Sequence, residues 1–251
     1  MIIKPLKTKI LLPPQDDLFR AIRHAVRGVP ERSILVVTSK VVSIGEGRCV
    51  AEEKIANKDK LIMSEADLYL PRREKTPWVM HTLKHNLFIP TAGIDESNGN
   101  GYYILWPRNP RRSAKLLYQW IRKTYHVKEC GIVITDSHSV PLRRGVMGIS
   151  LAHYGFLPLK DYRAMPDLFG RAFGVTQKNI ADGLAAAAVL VMGEGAEQTP
   201  IALITDVPFI EFREKPFQSK KIFSSLEVPI AEDLYAPLFA GIRWRKGGKG
   251  F

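Results

Sequence analysis

The chain has 251 residues and a mass of 28.3 kDa, long enough to bury roughly three quarters of its unfolded surface, which excludes a mini-protein that needs staples. Apolar residues make up 45% and charged residues 25%, a balance that excludes a disordered chain and predicts a packed core. The 37 Lys and Arg outnumber the 25 Asp and Glu for a net charge of +12, so the field favours anionic partners: nucleotides, phosphorylated metabolites or nucleic acid.

At the N-terminus, Lys4, Lys7 and Lys9 interrupt the apolar residues. No signal-like apolar run follows, and no stretch approaches the ~18 apolar residues of a membrane span. Residues 33–39 are β-branched and almost continuously apolar, which predicts a buried strand emerging into a polar turn over 43–48. Cys49 and Cys130 are the two cysteines; with no CxxC pair they build neither a disulfide framework nor a structural zinc site, and a reducing, cytoplasmic setting fits them as small buried hydrophobes. Residues 51–87 are charged and irregularly periodic, helical in part, and offer only Lys84 and His85 for chemistry.

Asn109 and Pro110 open the clearest helix, as N-cap and first helical position, and it continues through RRSAKLLYQWIRKTY. Its cations Arg111, Arg112, Lys115, Arg122 and Lys123 read first as a solvated face and second as phosphate contacts. A strand over 131–135 ends on Asp136, and a second helix starts after Thr176 and stops at Gly193, a C-terminal cap. The tail, residues 243–251, reads as a mobile basic end, and the tryptophans at 78, 106, 120 and 244 are scattered packing residues. Helices and strands mix without regular βα alternation, so the fold class is α+β in a single domain over 1–251.

Three segments place an oxygen donor beside small or turn-forming residues: Thr91 to Asn98, Thr135 to Ser137, and Met192 to Glu197. Carboxylates from Asp95, Asp136 and Glu194, with Ser137 as a neutral oxygen, form an all-oxygen set that selects Mg²⁺ or Mn²⁺ over zinc. Neither GxxxxGK[ST] nor GxGxxG is present, so a nucleotide would be held otherwise; Gly193 and Gly195 permit close approach of backbone N–H groups to a phosphate. His138 reads as an exposed loop histidine rather than a ligand.

The ordered segments AGIDESN, PRNPRRSAKLL, VITDS, DYRAMPDLFGR and VTQKNIADGLAAAAVLVMGEG, between about Ile34 and Asp206, resemble those of the coenzyme F-420-0:γ-glutamyl ligases. The resemblance implies an α+β fold of two interlocked parts, a homodimer, and use of GTP (or ATP) with divalent cations to add L-glutamate to an acidic acceptor, the deazaflavin coenzyme. It implies that Asp95 and Asp136 are metal ligands, that Ser137 stands where the family usually has Thr, and that Glu194 meets both metal and nucleotide. By the same resemblance Ser39, Lys40 and Asn98 contact the nucleotide, and the loop with Met192, Gly193, Gly195, Ala196 and Glu197 wraps it. Arg143, Arg144 and Arg171 are the candidates for holding the acidic acceptor.

The sequence departs from the family pattern at several polar positions. Ile44 replaces a Lys, Thr91 an Asn and Gly183 a Glu, and the Gly-Arg pair that begins three residues after Asp136 becomes Ser139-Val140. Two alternative functions therefore stand beside ligation: an altered anion- or nucleic-acid-binding homologue, and a metal-dependent hydrolase.

Overall fold

The structure, a computed structural model, describes residues 1–72, 79–213 and 226–248. The elements of the first half are β1 (Ile2–Leu6), α1 (Leu18–Ala25), β2 (Ser33–Thr38), α2 (Ser39–Gly45), β3 (Cys49–Ala51), α3 (Lys58–Glu65), β4 (Leu68–Tyr69), β5 (His81–Lys84), β6 (Leu87–Pro90) and β7 (Tyr102–Ile104). There follow α4 (Pro110–Tyr125), β8 (Cys130–His138), β9 (Met147–Tyr154), β10 (Leu159–Asp161), β11 (Gln177–Asn179), α5 (Ile180–Met192), β12 (Ile201–Thr205), α6 (Ala236–Ala240) and β13 (Arg245–Lys246). The class is α+β, and no helix among the described residues is long and apolar enough to cross a membrane.

The central sheet runs β1-β12-β2-β8-β9, with β2 and β8 parallel and the other neighbours antiparallel. Alternate residues of β2 serve opposite faces. Leu35 and Val37 pack with α1 and α4, whereas Ile34 and Val36 pack with α5. Cover on both faces explains why β2 reads as an unbroken apolar run, and each fully buried side chain of this kind contributes about 1.5–3 kcal/mol. A second sheet, β13-β4-β5-β6, is joined to a smaller core that includes Leu61 and Ile62 of α3, Ile94 and Leu105.

Local signals fix the helix ends. The Asn109 side chain accepts a hydrogen bond from the Arg112 N–H at 3.0 Å at the start of α4, and Asn179 does the same for Asp182 at 3.0 Å at the start of α5. The latter helix stops at Gly193, whose φ of 82° suits a residue without Cβ.

Four expectations are corrected. Ser39 does not end the strand but opens α2, which occupies part of the stretch read as strand and turn. The strand expected over 131–135 continues through Asp136, Ser137 and His138, because β9 pairs with all three beyond a bulge at Ile134/Thr135. Residues 177–179 pair with β10 before α5 begins. In the chain end expected to be mobile, Arg245 and Lys246 pair with Tyr69 and Leu68 of β4; residues 249–251 of that tail, like Trp78, lie outside the described residues.

Candidate active site

The parallel strands β2 and β8 end at one cleft of about 680 Å³, the place where open sheets commonly bind ligands, beyond the carboxyl ends of parallel strands. It is bounded by the N-terminal segment around Thr8 to Leu11, by α2, by the loop that follows β6, by the end of β8 and by the loop that follows α5. The cleft gathers Asp95, Asp136, Ser137 and Glu194 with Lys40, Asn98, Met192, Gly193, Gly195, Ala196 and Glu197. Residues more than a hundred positions apart in the chain, such as Lys40 and Glu197, therefore meet in one cleft.

Asp95 is shaped by its own turn. Its Oδ1 accepts the Ser97 N–H at 2.7 Å, and its backbone exchanges two hydrogen bonds with Ile104. Lys40, on α2, places its Nζ 2.8 Å from Asp95 Oδ2 and also donates to the Ser97 carbonyl at 2.8 Å. Partial burial opposes ionisation of Asp95, but the Lys40 hydrogen bond and charge, with Ser97, outweigh it and hold the carboxyl below its usual range.

Asp136 has a different environment. Its Oδ2 accepts from the Trp106 indole N–H and its Oδ1 from the Ser137 N–H at 2.9 Å. Burial, together with the charge of Asp95, raises its pKa to about 6 against these hydrogen bonds. Ser39, only 3% exposed, is not on the cleft wall; it hydrogen-bonds to Asp136 and so supports the carboxylate from behind.

The loop after α5 closes the far side. Ser137 Oγ lies 2.7 and 2.8 Å from the two Glu194 oxygens, and the Asn98 amide donates to the Gly195 carbonyl at 3.2 Å, tying two cleft loops together. The Gly195 N–H faces the Glu197 carboxylate at 2.8 Å rather than open space. This loop thus already presents a backbone N–H to an anionic oxygen, the contact a phosphate would make.

The donors fit a hard divalent cation in chemistry: three carboxylates and a hydroxyl from three separate segments, with no sulfur and no imidazole among them. They are not drawn into a closed cage. Among the described residues no three His, Cys, Asp or Glu form a metal cluster, since Lys40 engages Asp95 and Ser137 engages Glu194.

Arg143, Arg144 and Arg171 are not brought to the cleft. The first two are exposed in the connection between β8 and β9, and Arg171 is exposed in the β10–β11 connection, where its N–H donates to Asp167. His138 does line the cleft, with Nδ1 3.0 Å from the Met147 carbonyl. Cys130 is buried and Cys49 partly so; both are free thiols, and burial pushes their pKa values up to about 12 and about 11.

Several contributors were not singled out from sequence. Trp106, 1% exposed, stacks on His85 with ring centres 6.2 Å apart and lies under Lys84 Nζ at 5.9 Å. Lys84 is itself buried and bonded to Glu65, which also pairs with Arg48 at 2.7 Å. Only Lys84 and His85 carried a signal, as ionisable residues in an otherwise uninformative stretch. Of the departures, Ile44 and Thr91 line the cleft, whereas Gly183 is exposed on α5 with open space around it. Ile44 lies one turn after Lys40 on the same helix face, so Lys40 is the cation this wall retains.

The α+β fold gathers acidic oxygen donors, the ammonium groups of Lys9 and Lys40 and a glycine-rich loop around the end of a parallel strand pair, a lining whose chemistry suits small charged molecules. The chain belongs to the F420-0:Gamma-glutamyl ligase family, whose profile matches residues 6–206. It is 31% identical over 241 residues to the "Coenzyme F420:L-glutamate ligase" of Methanopyrus kandleri, covering 89% of this chain and 94% of that one. The proteins of the same name from Methanosarcina mazei and Methanocaldococcus jannaschii are each 31% identical, over 80% and 72% of this chain and 84% and 79% of theirs. The family match begins well before Ile34, and the segment it adds includes Thr8 to Leu11 of the cleft wall.

Proposed function

We propose that the protein is a nucleoside-triphosphate- and divalent-metal-dependent ligase that joins L-glutamate, or a similar amino acid, to an acidic acceptor. The observation that carries this reading is the gathering of Asp95, Asp136, Ser137, Glu194, Lys40 and the Gly193–Gly195 loop around one cleft, in a chain whose relatives are named as ligases of L-glutamate.

Joining an amine to a carboxylate in water is uphill. In the proposed reaction a carboxylate oxygen of the acceptor takes the γ-phosphoryl of GTP or ATP, the bond from the γ-phosphorus to the bridging oxygen breaks, and the nucleoside diphosphate leaves. The glutamate amine then attacks the acyl phosphate; a C–N bond forms, the C–O bond to phosphate breaks, and the amine proton goes to solvent. Asp95, Asp136, Ser137 and Glu194 would hold Mg²⁺ or Mn²⁺, which when bound supplies Lewis-acid charge neutralisation to the phosphates. Trp106 and Ser39 orient Asp136, Asn98 fixes the wrapping loop, and Lys40 offers an ammonium to developing negative charge.

Support for a homodimer comes from apolar side chains left in solvent on two protruding connections: Leu142 at 104% exposure, Leu168 at 97% and Phe169 at 94%. Light scattering should then give about twice the 28.3 kDa chain mass. The unpaired thiols suit a cytoplasmic setting.

The deciding experiment incubates the protein with Mn²⁺, GTP or ATP, glutamate and candidate acidic acceptors. Glutamate incorporation with stoichiometric release of phosphate is expected. Nucleotide cleavage without any amino acid would instead make the protein a hydrolase, and failure to bind nucleotide in the presence of the metal would leave only anion binding.

A further inference from the structure

A second cavity, of about 520 Å³, is bounded by the start of α4, the end of β9 and the turn between β5 and β6. On α4, Arg111, Arg112 and Lys115 fall within an arc of about 100° and line this cavity together. Arg111 pairs with Glu227, the one carboxylate on the lining among the described residues. Neither Arg112 nor Lys115 has a carboxylate partner among the described residues. The lining also includes the apolar side chains of Leu151, Phe156 and Leu157.

Two buried polar atoms remain without partners at this place. Ser150 is 5% exposed and lines the cavity, and its Oγ has no hydrogen-bond partner among the described residues; the same holds for Nε2 of His85, another lining residue. Both atoms are closed off from solvent, so they belong to the dry backing of the lining rather than to its accessible surface. His153, also on the lining, is held neutral, since burial and the Arg111 charge push its pKa down to about 4. The cavity therefore combines two cations that have no carboxylate partner among the described residues with apolar lining side chains, unlike a uniformly solvated helix face.

We propose that this cavity binds a small organic anion with an apolar body and a phosphate head, the head held by Arg112 and Lys115 and the body lying against Leu151, Phe156 and Leu157. His85 stacks on Trp106, whose indole donates to Asp136, so the two cavities share one structural partition. The inference does not depend on the ligase reading, and either can fail alone because the test below does not use turnover.

The probe is phenyl phosphate, titrated by calorimetry into the full chain at low salt with EDTA present. It should bind at least about tenfold more tightly than inorganic phosphate or phenol, because only it fills both halves of the cavity. Arg112→Gln and Lys115→Gln, both at exposed helix positions that tolerate substitution, should each weaken binding by about fivefold or more. Asp95→Asn and Glu194→Gln, in the other cleft, should leave it unchanged. The proposal is overturned if phenyl phosphate does not bind, if phenol binds as well, if the α4 variants bind normally, or if the variants of the other cleft lose the probe.

Discussion

Gly93 supports the acidic cleft through Trp106, and replacing it with Ala should be unusually damaging. Its φ is +70°, and an added Cβ would lie 2.1 Å from Trp106 Cε2 and 2.3 Å from Nε1, the atom that donates to Asp136. A Cβ at positive φ costs about 1–2 kcal/mol, and overpacking a filled core adds about 1–3 kcal/mol. Gly101 separates the two effects: its φ is +83°, but an added Cβ there meets nothing within 4 Å. Gly101→Ala should therefore lose only the backbone term. The difference, about 2 kcal/mol, corresponds to roughly 4–8 °C in Tm for a chain of this size. Thermal unfolding of the two variants in parallel measures it, and Mn²⁺ titration of Gly93→Ala should show weakened binding because the indole that orients Asp136 is displaced. Equal Tm losses in the two variants would refute the steric argument and remove Trp106 as the neighbour that matters.

Gly183→Ala should raise stability by up to about 1 kcal/mol, read as a shift in the urea midpoint, since this helical glycine is exposed and a Cβ there meets nothing. Asp136→Asn should abolish Mn²⁺ binding in calorimetry while lowering stability by no more than about 1 kcal/mol, because the amide keeps an oxygen for Trp106 and removes a buried charge but turns its NH2 towards the Ser137 N–H; unchanged Mn²⁺ affinity would take Asp136 out of the site. His153 should make the fold sensitive to acid: burial and Arg111 lower its pKa from 6.5 to about 4, so the unfolded chain binds the proton first and stability falls as pH drops from 6.5 towards 4. Two to three kcal/mol is the approximate scale of that loss, and His153→Gln should flatten the stability curve across this window.

Much of the architecture was legible because its signals are local. Asn109 caps α4 by a contact three residues away, and the apolar run of β2 announces a buried strand, whereas the start of α5 was read too early because the cap at Asn179 follows a short strand paired with β10. What failed depends on distant partners. Nothing near Asp136 in sequence shows that β9 will extend the strand to His138, and nothing in the last residues shows that Arg245 and Lys246 will pair with β4. The stretch between α3 and β6 was unreadable because its strands are two to four residues long and its polar order comes from Glu65 joining Arg48 to Lys84. Candidate cleft residues were legible as turn-forming oxygen donors in separate segments. The arginines were not, since charge in a sequence says nothing about which surface it will occupy.

Charge in the cleft also decides how a nucleotide can enter it. The chain as a whole carries +12, yet the cleft lining holds four carboxylates, Asp95, Asp136, Glu194 and Glu197, against the ammonium groups of Lys9 and Lys40. Lys40 is already committed to Asp95, and Lys9 lies 2.9 Å from Asp16. A bare triphosphate would therefore be drawn to the protein by its long-range field and repelled at the site itself. At an effective dielectric of about 20, a phosphate charge roughly 6 Å from an unscreened carboxylate is opposed by about 3 kcal/mol. A divalent cation shared between the carboxylates and the phosphates reverses that sign. GTP or ATP should accordingly bind at least about tenfold more weakly in EDTA than in Mg²⁺ or Mn²⁺, whereas phenyl phosphate in the second cavity should be indifferent to the metal. Calorimetric titration of each ligand under both conditions makes the comparison, and a nucleotide that binds equally well in EDTA would show that the acidic cleft is not where it goes.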